Sequence, residues 1–291
     1  TSRPRIWAAG DVRDDSAANS ERASPASGRG VEDDFGREHF GLSPTDTMAL
    51  RSLARQSRLT LNTLIQGAWA LLLHEFTNDP DVIFGVTVAA RPPSLAGVES
   101  MVGLFINTLP LRVKINPQEE LLPWLRQLQN QQIELREFER TPLISIQKCA
   151  ELPPGVPLFD SILVYENVPF DTSLWERFES LKVRDVRFLS KTHYPITVSV
   201  YVGEEISVSL NYRRAECGPG VMRRAAGHLR ALIQGMAENP RRRLGELPRA
   251  LEGHGSPRPL PQPAPVRSAP EQTWEPPRTA VEKCLAEIWG S

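Results

Sequence analysis

Hydrophobic spacing changes period several times along this chain, and each change marks an element. From Thr60, the residues Leu61, Leu64, Ile65, Ala68, Leu71 and Leu72 recur at helical spacing, and Trp69 and Leu73 widen the stripe. A helix that is apolar most of the way round is a buried one, set under or across a sheet. Ahead of it, Ser43-Pro44-Thr45-Asp46 has the form of a helix start: a Ser cap, Pro at the first helical position and an acid in the first turn. Leu50, Leu53 and Ala54 then follow at helical spacing. Asp79-Pro80 ends the second helix, and the apolar run 82–88 predicts a buried strand.

Further along, the run 109–115 predicts another strand. Leu121, Trp124, Leu125, Leu128 and Leu135 define an amphipathic helix that buries one narrow stripe, since its middle is polar. Thr141-Pro142 opens a short helix through Cys149, and the centre of 157–167 predicts a strand. A loop with Trp175 and Phe178 and a strand near 183–188 come next. The clearest alternation follows: Ile196, Val198, Val200 and Val202 alternate with Thr197, Ser199 and Tyr201, and Ile206, Val208, Leu210 and Tyr212 with Ser207, Ser209 and Asn211. Gly203-Glu204 between them suits a hairpin with one buried and one polar face. Gly218-Pro219 opens a long helix whose apolar side carries Met222, Ala225, Ala226, Leu229, Leu232, Ile233 and Met236.

The two ends of the chain lack such order. Residues 1–41 are rich in Ser, Ala, Gly, Arg and Asp, and Ile6, Trp7, Val31, Phe35 and Phe40 are too scattered to offset the entropy of ordering. The segment is expected to be disordered, with order beginning at Ser43. Residues 251–277 are Pro-rich and read as an extended linker, and 278–291 as one short amphipathic helix with Val281, Leu285, Ile288 and Trp289 on its apolar side.

Composition narrows the function classes. A net charge of −1 with no basic stripe gives no electrostatic footprint for nucleic acid. Cys149, Cys217 and Cys284 lie far apart, without a CxxC pair, which fits a reducing cytoplasm better than a disulfide framework. No apolar run is long enough to span a bilayer, so no membrane association is expected. His74-Glu75 lacks the second His of a zinc-protease helix, and no GxSxG elbow, phosphate loop or dinucleotide fingerprint is present. No metal site or bound cofactor is expected in this chain. His193, in Lys191-Thr192-His193-Tyr194-Pro195, fits a structural lead-in to the hairpin better than a general base.

One stretch stands apart: Met101-Val102-Gly103-Leu104-Phe105-Ile106-Asn107-Thr108-Leu109-Pro110-Leu111-Arg112-Val113. A polar pair inside an apolar run needs hydrogen-bond partners, and an ordinary buried strand with a satisfied Asn107 accounts for it. The stretch also resembles the VGxFxNTxxxR signature of condensation domains from nonribosomal peptide synthetases. Other blocks resemble that family in the same order. They are Thr60 to Leu64 with Ala68 to Leu72, Phe84-Gly85 to Arg91-Pro92, Thr141-Pro142-Leu143, Pro157-Leu158-Phe159-Asp160 with Glu166-Asn167, Tyr194-Pro195, Leu210-Asn211-Tyr212-Arg213, Asn239-Pro240 and Leu244-Gly245-Glu246-Leu247.

The resemblance implies an α/β lobe (an α+β sandwich) like chloramphenicol acetyltransferase: a mixed sheet with helices packed on it, over residues 42–250. In the family two such lobes enclose a tunnel, and carrier proteins bring thioester-linked donor and acceptor to opposite ends. The reactive histidine belongs to an HHxxxDG motif of the first lobe. No two histidines are adjacent in this sequence, and the matching blocks belong to the second lobe. The resemblance therefore implies no catalytic residue here. It implies partners in carrier domains bearing phosphopantetheine and in a first lobe, and no turnover by this chain alone. Alternatives are a non-catalytic docking module for carriers or for a first lobe, and another acyltransferase of the superfamily.

By the same resemblance, Asn107 and Arg112 stand nearest the tunnel. The Asn would hold a carbonyl or a backbone turn, and the Arg would orient the other lobe or a substrate chain, unless both serve packing and structural hydrogen bonds. Asp160 matches an acidic position beside the interlobe region; an ordinary capped or solvated acid is the alternative. Residues 278–291 resemble the start of a carrier domain.

Overall fold

The computed structural model describes residues 34–91, 96–149, 156–166 and 192–248. The expected disorder of residues 1–33, the expected Pro-rich linker and terminal helix, the expected strand near 183–188 and the expected loop with Trp175 and Phe178 all fall outside the described residues.

Caps set the helix boundaries. Helix α1 (Pro44–Ser57) starts where the Ser43 hydroxyl accepts the Asp46 N–H, and it stops at Arg58, which turns left-handed with φ 57°. Helix α2 (Leu61–Thr77) starts where the Thr60 hydroxyl accepts the Thr63 N–H at 3.0 Å. It stops at Asn78, a residue type suited to the left-handed cap. Every residue from Thr63 to Leu73 in α2 is buried, as its all-round apolar pattern requires. Helix α3 (Leu121–Leu135) buries the narrow stripe of Leu121, Trp124, Leu125 and Leu128. The short α4 (Leu143–Cys149) has no buried side chain, and α5 (Pro219–Glu238) buries the apolar side read from the sequence, with His228 added.

Six strands form one sheet: β1 (Phe35–Gly41), β2 (Asp81–Ala89), β3 (Ile106–Lys114), β4 (Ser161–Glu166), β5 (Ile196–Val202) and β6 (Ile206–Arg213), in the order β1-β6-β5-β4-β2-β3. The sheet is mixed, with β4 parallel to both β2 and β5 and the remaining pairs antiparallel. Register places Val82, Phe84 and Val86 opposite Val113, Leu111 and Leu109, and these residues join Leu163, Val198, Val200, Val208 and Leu210 in one core with the helices. Helix α2 lies at the centre of that layer, packed on β2, α1, α3 and α5.

Two expectations change. Order does not begin at Ser43, because Phe35–Gly41 is a strand paired along its whole length with β6. Its sparse apolar residues carry no clear alternation. Backbone bonds to a strand far along the chain supply the order instead, with His39 beside Ser209 across a separation of 170 residues. The hairpin β5–β6 forms as expected around residues 203–205, but its polar face is not a solvated one. Thr197, Ser199, Ser209 and Asn211 are all buried together with the apolar face. Ser209 is held by its β1 neighbours: Arg37 donates to its hydroxyl at 3.0 Å, and His39 Nδ1 lies 3.1 Å from it. Thr197 pairs with Thr192 at 2.6 Å.

Candidate functional site

The signature residues separate by strand parity. Asn107 and Arg112 are five positions apart on β3, so they project to opposite faces of the sheet. Asn107 shares its face with the core residues Leu109, Leu111 and Val113. Its amide nitrogen donates to the carbonyls of Glu139 and Thr141, each at 2.8 Å, and its Oδ1 accepts the Thr108 N–H at 2.9 Å. Both amide hydrogens are thereby engaged. Of the roles read from the sequence, this geometry is that of a side chain holding a backbone turn, the one that launches α4.

Arg112 lies on an edge strand and on the face away from the core. Its Nε reaches Asp81 Oδ1 at 2.8 Å and its Nη2 reaches Oδ2 at 2.5 Å, a forked ion pair across β2 and β3. The hydrogen bond to Asp81, reinforced by that carboxylate's charge, moves the guanidinium pKa upward. The Arg112 side chain stays 56 % exposed, so the pair is solvated.

Asp160 stands in a cleft of about 420 Å³. The lead-ins of β4 and β5 and the end of β6 build one side from Phe159, Asp160, His193, Tyr194, Arg213 and Glu216; α4 closes the other with Leu143, Ile144 and Gln147. The Phe159 and Tyr194 rings stack with centroids 5.3 Å apart, and His193 tilts against Tyr194 at 4.2 Å. Arg213 ties the corner: it donates to Glu216 at 2.8 Å and to the His193 carbonyl, and its own N–H reaches the Pro195 carbonyl at 3.0 Å. Burial pushes the Tyr194 phenol pKa up, so the hydroxyl keeps its proton at neutral pH. The structural reading of His193 agrees with this geometry, since its carbonyl anchors Arg213.

Register gives the layout. Asp160 precedes Ile162 by two positions, and Arg112 pairs with Ile83, two positions before Gly85, the parallel partner of Ile162. Arg112 and Asp160 therefore share one level across the sheet, two strand spacings or roughly 10 Å apart. Asn107 pairs with Val88, about five residues or roughly 16 Å further along. Arg213 closes one of the family-like blocks, but nothing in the sequence placed it or Glu216 beside Asp160; strand order brings all three to the lining of one cleft. Among the described residues, no group of three or more His, Cys, Asp or Glu could hold a metal ion, and no helix is long and apolar enough to cross a membrane.

Comparison with known proteins decides the family: the Condensation domain profile matches residues 21–252. The chain belongs to the condensation-domain family. It is 40 % identical over 207 residues to chondramide synthase cmdD of Chondromyces crocatus, covering 71 % of this chain and 5 % of that protein. It is 34 % identical over 205 residues to gramicidin S synthase 2 of Brevibacillus brevis, covering 69 % of this chain and 5 % of that protein. The chain thus spans about one twentieth of the length of these relatives. The fold matches the four-domain nonribosomal peptide synthetase holo-AB3403 with a TM-score of 0.64 at 18 % identity, covering 73 % of this chain and 17 % of that one. It matches the first condensation domain of the calcium-dependent antibiotic synthetase with a TM-score of 0.60 at 16 % identity, covering 74 % of this chain and 47 % of that one. These matches bear out the α/β lobe expected of a condensation domain.

Proposed function

We propose that this condensation-domain chain forms one wall of a tunnel in which an amine attacks a carrier-bound acyl or peptidyl thioester. The amine nitrogen bonds to the thioester carbonyl carbon, the carbon–sulfur bond breaks, and the carrier's phosphopantetheine thiol leaves with the proton. Arg112 and Asp160 lie on the wall, and Asn107 shapes the turn that carries α4 beside it. The observation that supports this most is the shared level of Arg112 and Asp160 across the sheet, with Arg112 on the face away from α1, α2, α3 and α5. Side chains there can meet a second body, whereas the helix face is filled by core.

Catalysis needs an imidazole that this sequence does not provide in the family's HHxxxDG form. The chain alone is therefore inactive toward loaded carriers and becomes active when joined to a lobe carrying that motif. Mass spectrometry of the carrier-bound product tests this. Amide formation only with the HHxxxDG lobe supports the reading, and turnover by the isolated chain overturns it.

A further inference from the structure

The polar face of the sheet holds an uncompensated cation at its β1 edge. Register sets Arg37, Asn211 and Thr197 in one row across β1, β6 and β5, and His39, Ser209 and Ser199 in the next. Paired residues share a face, so these side chains stand together on the side away from the core. Thr197, Ser199, Ser209 and Asn211 form a floor in which no residue is more than 8 % exposed. His39 is exposed at the rim, and Arg37 is half-buried between rim and floor.

The Arg37 guanidinium is only partly satisfied. Its Nη2 donates to Ser209 Oγ at 3.0 Å, but its Nε–H is buried with no hydrogen-bond partner. Among the described residues, Arg37 also has no carboxylate to pair with. Glu38 alternates to the opposite face of β1, and Glu216 is taken by Arg213. Glu166 pairs with Tyr201, three strand spacings across and four residues along from Arg37, roughly 14 Å by 13 Å. Ser209 Oγ, which accepts from Arg37, has its own proton left for His39 Nδ1, and a neutral His39 then carries its N–H on Nε2. A buried N–H left without an acceptor costs stability, so its retention calls for an occupant that accepts from it.

We propose that Arg37, His39 and Asn211 form a binding site for the carboxylate of a small organic acid. A guanidinium presents pairs of parallel N–H groups in one plane, which a planar carboxylate matches. One guanidinium carries one charge, so a monoanion balances it and a phosphate dianion does not. The site goes beyond the tunnel reading: a carrier-bound acyl group has its carboxyl carbon bonded to sulfur, so the occupant is an acid not held on a carrier.

Amide and imidazole NMR of the whole chain tests this, with sodium acetate added at constant ionic strength and sodium chloride as the reference. Acetate is expected to shift the amides of Arg37, His39, Ser209 and Asn211 along a saturating curve. Arg37→Gln weakens acetate binding at least about tenfold, and Arg37→Lys, which keeps the charge without the fork, falls between. The amides of Val198 and Leu210, whose side chains lie in the core, report the folding of each variant. Wild-type protein gives a second readout: acetate slows modification of Arg37 by phenylglyoxal, followed by peptide mass spectrometry. Shifts that rise linearly and equally with acetate and chloride overturn the proposal. So does inorganic phosphate that saturates the site more tightly than acetate, or acetate binding unchanged by Arg37→Gln. If a variant unfolds, phenylglyoxal labelling of wild-type Arg37 that acetate does not slow overturns it instead.

Discussion

Asn107 holds the carbonyl oxygen of Glu139 at 2.8 Å, from a strand whose next neighbours are core residues. The same nitrogen holds Thr141, so one side chain fixes the turn between α3 and α4. A residue that the family resemblance would set nearest a tunnel thus holds a backbone turn from the core side of the sheet. The turn it fixes starts the helix that lines the Asp160 cleft, so Asn107 acts on the cleft through the backbone.

Replacing Asn107 by Ala leaves two carbonyls without their donor. Such a loss costs about 1–3 kcal/mol when the groups are shielded from water. Urea unfolding is expected to show this fall, with Asn107→Asp at least as damaging, because a carboxylate would face two carbonyl oxygens. Unchanged stability would show that the turn does not depend on the amide.

Arg112 behaves differently. Its pair with Asp81 has good forked geometry but is solvated, and exposed pairs contribute about 0.2–1 kcal/mol. Arg112→Ala is expected to change stability by no more than that, and the difference should shrink at about 1 M salt, where screening is short-ranged. A loss of amide formation in the joined protein larger than this stability change would mark Arg112 as a residue of the tunnel.

The exit of the lobe is fastened by close packing. A Cβ at Gly235 would stand 2.8 Å from Cδ and 3.1 Å from Cγ of Pro248, whose carbonyl also bonds His228 Nε2 at 2.7 Å. Gly235→Ala is expected to lift the segment around Leu247 and Pro248, cost about 1–3 kcal/mol as overpacking does, and speed proteolysis there. Wild-type proteolysis of the variant would contradict the contact.

Burial pushes the Cys217 thiol pKa up from an ordinary 9.0 to about 12. Since the folded value is the higher one, its contribution to stability is complete below pH 9.0 and is lost as pH rises toward about 12. Cys217→Ala should flatten that alkaline slope in unfolding measurements. In the native protein at about pH 8, a thiol reagent is expected to label the exposed Cys149 and spare the buried Cys217.

For His228 the sign runs the other way. Burial lowers its pKa, against the pull of the Pro248 carbonyl, and Glu75 Oε2 lies 3.2 Å from Nδ1. Its contribution is therefore complete above pH 6.5 and is lost as pH falls below that value. An NMR titration giving a value above 6.5 would mean that Glu75 outweighs burial.

The sequence by itself determined what local rules govern. The caps at Ser43 and Thr60, the buried α2, the narrow stripe of α3 and the β5–β6 hairpin each follow from residues close together in the chain, where side-chain period and cap chemistry act directly. The order of motifs was also enough to indicate the condensation family. Tertiary structure decided the rest. Phe35–Gly41 is a strand because β6 offers it an edge, a condition its own residues do not state. Asn107 and Arg112, neighbours in one motif, were sent to opposite faces by strand parity. Asp160 shares a cleft with Arg213 and Glu216 because strand order, unlike local period, couples residues far apart in the chain, through backbone hydrogen bonds that leave no mark in the sequence.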